Sequence, residues 1–307
     1  VSGQRLPVFS IPPESTEITK ILEEEIGVYP NPPKVFNGRV LSMVPEMDFD
    51  QQFMEFHKLG MVSGNEHMAT GLWLKYIPTL IEYNQILTPH YFNFIQTFAN
   101  DKSQKLRRNW TNFSKVSPEL LKFLGVRYVI TTKSVLDGAK EIIEINQEGD
   151  GKLKLFEFEE PNISGVSATR IILAEDWLNA QKQIERHKFD SRVAVIYAMD
   201  MQILEGISLK NLVKAHESQI VVEKKGWRVR AESGGKTLLV IPFEYSECME
   251  LTFLGKKKPA KIFRVNALLT GILFEKSLDI KLVSRVGLLQ DPKCRWRDYQ
   301  KFKQLIN

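Results

Sequence analysis

The 307-residue sequence is poor in the residues and motifs that announce chemistry. It has only two cysteines, Cys248 and Cys294, too few for a disulfide framework and without the spacing of a zinc site. Alone they fix no redox compartment. No window approaches the ~18 consecutive apolar residues of a membrane span, and the most apolar run, Val265 to Phe274, is interrupted by Asn266 and Thr270. The histidines His57, His67, His90, His187 and His216 lie far apart, and Glu66-His67 has no partner at helical spacing, so the H-E-x-x-H zinc signature is missing. A G-x-S-x-G elbow, a P-loop and a dinucleotide fingerprint are missing as well. A composite site folded from distant residues stays open, but no catalytic residue, metal ligand or cofactor is assigned from the sequence.

What is present points to a folded chain. Hydrophobic residues make up 43% and charged residues 26%, which supports a sizeable core under an ordinary surface and excludes low-complexity and disordered classes. The length suggests about two domains. A chain that begins Val1-Ser2-Gly3 reads as a trimmed precursor or an excised piece, so a targeting segment is not expected within it. Three sequons, at Asn109, Asn112 and Asn162, carry little weight alone. The formal net charge is +5, and four of those charges lie in the last fifteen residues, where Lys293, Arg295, Arg297, Lys301 and Lys303 face only Asp298. With Trp296, Tyr299 and Phe302 interleaved, this tail reads either as an amphipathic helix or as a segment lying on anionic headgroups. No second basic stripe accompanies it, which argues against nucleic acid as a partner.

Along the chain, residues 1–35 hold six prolines around one helical stretch, Glu14 to Gly27, and read as a leader or linker. Residues 36–200 read as a mixed α/β domain. A strand is expected from Gly38 to Val44, and a buried helix carries Tyr91, Phe92, Phe94, Ile95 and Phe98. A second helix opens at Ser117-Pro118-Glu119 and stops at Gly125, followed by a buried strand from Val126 to Thr132. Further strands fall at Leu153 to Glu159, Thr169 to Ala174 and Arg192 to Tyr197, with a helix from Asp176 to His187. In residues 201–290 period-two alternation takes over, as in Trp227, Val229 and Ala231, then Met249, Leu251 and Phe253, then Leu278, Ile280 and Leu282. With turn signals at Gly234-Gly235 and Gly255-Lys256, the pattern predicts an antiparallel β-sandwich, jelly-roll-like, beside a separate α/β layer. The class is therefore α+β, closed by a basic tail at 291–307.

The candidates for chemistry are sparse. Asp48-Phe49-Asp50 has the D-x-D form with which metal-dependent glycosyltransferases hold a nucleotide sugar, although it sits in an ordinary acidic stretch. Lys256 to Lys258 at a hairpin tip reads as a solvated turn that discourages edge pairing. Trp110, Trp227 and Trp296 could stack on sugar rings, but the alternation around Trp227 puts it on a core face.

Two ordered landmarks carry a resemblance. The first is Leu121-Lys122-Phe123-Leu124-Gly125-Val126-Arg127-Tyr128-Val129-Ile130-Thr131, preceded by Ile81-Glu82-Tyr83-Asn84 and Tyr91-Phe92. The second is Leu254-Gly255-Lys256-Lys257-Lys258-Pro259-Ala260-Lys261-Ile262-Phe263-Arg264-Val265-Asn266, leading through Ile272-Leu273-Phe274 to the strand at Leu278 to Val286. Over roughly 38–135 and 150–290 the chain resembles the extracytoplasmic C-terminal portion of YfhO-type bacterial polytopic membrane proteins. Two departures stand out. Glu82-Tyr83-Asn84 replaces the family's Gly-Tyr-Asp, and Phe243 to Met249 lacks the proline, glycine and tryptophan expected before the Gly-Lys hairpin.

The resemblance implies a domain of a multi-span, polyprenyl-phosphate-sugar-dependent glycosyltransferase-like protein on the outer face of the bacterial membrane. The catalytic carboxylate of that class lies between membrane spans, so this chain alone is expected to be inactive. Its partners would be a glycan or polyprenyl-linked sugar acceptor and the membrane spans of its own parent chain. A ligand cleft would be lined by Tyr83, Asn84, Tyr91 and Arg127, with Arg127 meeting an anionic group, or instead pairing with a buried carboxylate. The competing expectations are a free secreted carbohydrate-binding or adhesion protein of the envelope, and an independent enzyme using Asp48 and Asp50.

Overall fold

The computed structural model describes residues 15–28, 32–43, 67, 69–80, 88–99, 116–146, 152–254, 259–284 and 292–306. Helices and mainly antiparallel strands give an α+β fold. Among the described residues no helix is long and apolar enough to cross a membrane.

Helix α1 (Glu17–Ile26) starts where the Thr16 hydroxyl accepts from the Thr19 amide. Ile18, Leu22 and Ile26 recur every fourth residue and bury one stripe against Tyr128, Ile130, Leu153 and Leu155. These belong to a four-stranded sheet of β2 (Arg39–Met43), β3 (Val126–Thr131), β4 (Ala139–Asn146) and β5 (Lys152–Phe158), in the order β2-β3-β5-β4 with only β2 and β3 parallel. Leu72, in α2 (Ala69–Leu74), joins the α1 side. The other side packs on α3 (Pro89–Phe98) and α4 (Pro118–Phe123) through Tyr91, Phe94, Leu120 and Phe123. Cover on both faces explains why β3 reads as a nearly continuous β-branched and aromatic run, broken in its interior by Arg127. Gly125 links α4 to β3 at a φ of 75°, and a Cβ there would sit 2.9 Å from the Asn162 carbonyl oxygen.

The proline-rich stretch continues into β1 (Lys34–Val35), which pairs with β9 (Ala215–Val222), so its described elements are fastened to both sheets. A parallel β-α-β unit follows the first sheet: β7 (Arg170–Ala174), α5 (Trp177–Arg186) and β8 (Val193–Tyr197).

Two long strands, β10 (Trp227–Glu244) and β13 (Leu269–Ser284), form the spine of a seven-stranded antiparallel sheet. One half holds β1, β9 and β11 (Met249–Phe253); the other holds β6 (Val166–Ala168) and β12 (Lys261–Val265). Here the structure corrects the sequence reading. Gly234-Gly235 does not end a strand but lies in a bulge, where β10 residues between Glu232 and Lys236 oppose only Lys276 of β13. The bulge folds the sheet over itself. Trp227 and Phe243 stack with ring centroids 4.5 Å apart, although sixteen residues of straight strand would separate them by about 50 Å. The Gly255-Lys256 signal lies outside the described residues.

Burial explains the two rhythms in the sequence. In the first half of β10, Val229 and Ala231 face the folded interior while Arg228 and Arg230 face outward, so residues alternate. In the second half Leu239 and Ile241 enter that interior while Leu238 and Val240 join the α/β core, so nothing is left exposed. The chain closes with α6 (Pro292–Ile306), tied by the Cys248–Cys294 disulfide to the loop before β11.

Candidate functional site

Tyr83 and Asn84 lie outside the described residues, but the chain on either side of them is anchored. Leu80 N donates to Val40 O at 3.0 Å, the Tyr91 hydroxyl donates to the Leu80 carbonyl, and the Thr88 hydroxyl donates to Glu244. Tyr91 itself is 5% exposed and packs in the core opposite α1. Arg127 goes the other way. Its guanidinium meets Glu157 at 2.7 Å and Glu25, in the last turn of α1, at 3.3 Å, and lies 5.0 Å from the Tyr128 ring centroid. Tyr91 and Arg127 therefore do not converge on one cleft, and of the two partners expected for Arg127 the structure shows carboxylates, part-exposed rather than buried.

The most unusual chemistry lies where α6 docks, at positions the sequence reading passed over. Asp298 and Arg264 are each 1% exposed and pair at 3.2 Å. Asp298 also accepts from the Ser246 hydroxyl and the Glu247 amide, and Arg264 donates to the Tyr245 carbonyl at 3.2 Å. Lys301, one helical turn further on, reaches Glu247 at 2.7 Å and Asp200 at 3.4 Å. Asp200 belongs to a 3₁₀ helix, Ala198–Leu204, that follows β8.

His90, in α3, sits beside this cluster with 0% exposure, and neither ring nitrogen has a hydrogen-bond partner among the described residues. Its ring meets the edge of Phe302 at 5.1 Å. Burial first, then the charges of Arg264 and Lys301, lowers its pKa to about 2, so it is neutral. Burial raises the Asp200 carboxyl against the opposing pull of Arg264 and Lys301. Burial likewise raises the Tyr197 and Tyr245 phenols. The Tyr197 hydroxyl and Arg264 Nε are further polar atoms left without partners among the described residues. Only Lys301 and Glu247 reach solvent appreciably, at 27% and 15%. The described residues of the cluster leave little of it open to solvent, and its charges fasten α6 to β12, to the loop before β11 and to the 3₁₀ helix, while the Phe302 ring meets His90 of α3.

Asparagine side chains tie both landmarks into the fold. Asn162 donates to Phe123 O and Val240 O, bolting α4 to β10; it is 4% exposed, so this sequon is closed to glycosylation in the folded chain. Asn266, at a φ of 50°, accepts from Val195 N at 2.7 Å and joins the end of β12 to β8. Trp227 packs on Phe243, as its alternation predicts. A small depression beneath α5 is lined by Ile184, His187, Phe189, Asp190, Val195 and Asn266. Its one carboxylate, Asp190, is held at a pKa of about 2 by Arg192, which forks onto it.

Asp48, Asp50, His57, Trp110 and Lys256 to Lys258 lie outside the described residues. Among the described residues no group of three or more His, Cys, Asp and Glu side chains could hold a metal ion. The sequence did carry one signal for the buried cluster: Asp298, alone among cations, stands four residues from Cys294 and seven from Leu305, on the inward face of α6. No family model, curated protein or solved structure matches the chain.

Proposed function

We propose that the chain is an extracytoplasmic domain of a bacterial YfhO-type, glycosyltransferase-like membrane protein, which recognises a glycan or polyprenyl-linked acceptor or shapes the membrane-embedded site, and performs no chemistry alone. In this reading the folded-over sheet is the family's β-sandwich. The Cys248–Cys294 disulfide carries the location, because such bonds persist in oxidising compartments outside the cytoplasm and are rare within it. The ordered landmarks support the family, and both are built into the fold by Asn162 and Asn266.

The test is twofold. The reading frame upstream of Val1 is expected to encode about ten apolar segments of ~20 residues, with an acidic residue in the first outward loop. A cleavable signal peptide alone would instead make the chain a secreted binding protein. An alkaline phosphatase fused after Asn307 of the full-length protein is expected to be active; an inactive fusion, or sugar transfer by the 307-residue chain alone, overturns the proposal.

A further inference from the structure

The outward face of α6 is unaccounted for by anything that fastens its inner face. Cys294, Asp298, Phe302 and Leu305 point inward, with Lys301 at their border. At 100° per residue the direction opposite them is occupied by Trp296, Tyr299 and Lys303, at spacings of three and four. Trp296 is 58% exposed and Tyr299 45%, and their rings stack with centroids 5.4 Å apart. Tryptophan with this much of its surface in water is uncommon in a globular fold. Arg297 flanks the stripe at 55% exposure, with Glu247 as a loose partner at 3.9 Å, and Lys303 is exposed at its far end. The only acid of α6, Asp298, is buried, so the helix itself places no carboxylate on its outer face.

We infer that this face of α6 docks flat on an anionic lipid bilayer. Tryptophan and tyrosine settle at the headgroup level because one end of each ring system is apolar and the other donates a hydrogen bond. Arginine and lysine beside them answer the negative surface potential. The disulfide and the Arg264–Asp298 pair hold α6 rigidly against the body, so the helix would orient the whole domain on the membrane instead of merely tethering it. The inference rests on α6 alone and does not depend on the family reading.

Sedimentation of the 307-residue chain with lipid vesicles tests it. The chain is expected to bind vesicles of phosphatidylcholine mixed with phosphatidylglycerol, to leave pure phosphatidylcholine vesicles in solution, and to release as salt rises. Trp296→Ala with Tyr299→Ala, and separately Arg297→Glu with Lys303→Glu, should each lower the partition coefficient by about tenfold or more. These side chains lie outside the core, and unchanged circular dichroism confirms that the variants fold. Equal binding by wild type and both variants overturns the inference. So does equal binding to the two vesicle types, or displacement by soluble glycerol phosphate at matched phosphate concentration, which would mark a site for free phosphate.

Discussion

Burying Asp298 beside Arg264 takes both charges out of water, and the pair is tolerable because three donors converge on the carboxylate. Removing one partner leaves the other uncompensated. Asp298→Ala is expected to cost about 3–5 kcal/mol in urea unfolding, whereas the double change Arg264→Met with Asp298→Leu should recover much of that loss. His90 supplies a pH dependence. Its folded-state pKa lies well below the ordinary 6.5, so the unfolded chain takes up the proton first, and stability present above 6.5 is lost as the pH falls. Unfolding free energies from urea titrations at pH 7.5 and 5.0 should differ by about 2 kcal/mol from this group, and His90→Leu should flatten the difference. Asp200 acts in the opposite sense. Its raised pKa makes the folded state bind the proton first, which adds stability as the pH drops toward the carboxylate range and partly offsets His90 at the acid end.

At the scale of elements, α6 is held by the disulfide and by ionic fastenings, the Arg264–Asp298 pair and the pairs of Lys301 with Glu247 and Asp200. The disulfide closes a sequence separation of 46 residues, for which loop-closure entropy gives about 4 kcal/mol. Cys248→Ser with Cys294→Ser should lower stability by an amount of that order. Hydrogen exchange should then rise first in α6, which loses its covalent tie, before β10 and β13 are affected. The bend in β10 is a different kind of element-level event. A turn signal such as Gly-Gly marks backbone freedom, but whether the chain reverses or bulges depends on its partner. β13 continues past the same level on a single residue, Lys276, at a φ of 65°, so both strands bend together and neither reverses.

Across the whole molecule, one hydrophobic cluster runs from Leu41 to Leu305 and takes in β3, α3, α5, β8, the second half of β10, β12 and α6. Four-stranded sheet, parallel unit and seven-stranded sheet therefore share apolar surface. Near- and far-ultraviolet circular dichroism should follow a single unfolding transition; two separated midpoints would show that the sheets fold as independent units. The shared core also explains why the second half of β10 loses alternation: it is the wall between the folded sheet interior and the α/β layer.

Local patterns determined the elements. Ser117-Pro118 opened α4, Gly125 ended it, the apolar run after it became β3, and the alternation at Trp227 and Leu278 became paired strands, because capping, periodicity and β-branching act within a few residues of one another. The sign of the tail and its aromatic interleaving were legible too. Tertiary structure decided the rest. His90, Asp200, Arg264 and Asp298 come from four elements spread over two hundred residues, and only burial makes their chemistry matter: in water each would be an ordinary surface group, whereas in a shared low-dielectric site burial and the nearby cations keep His90 neutral, and the Arg264–Asp298 pair fixes the position of a helix.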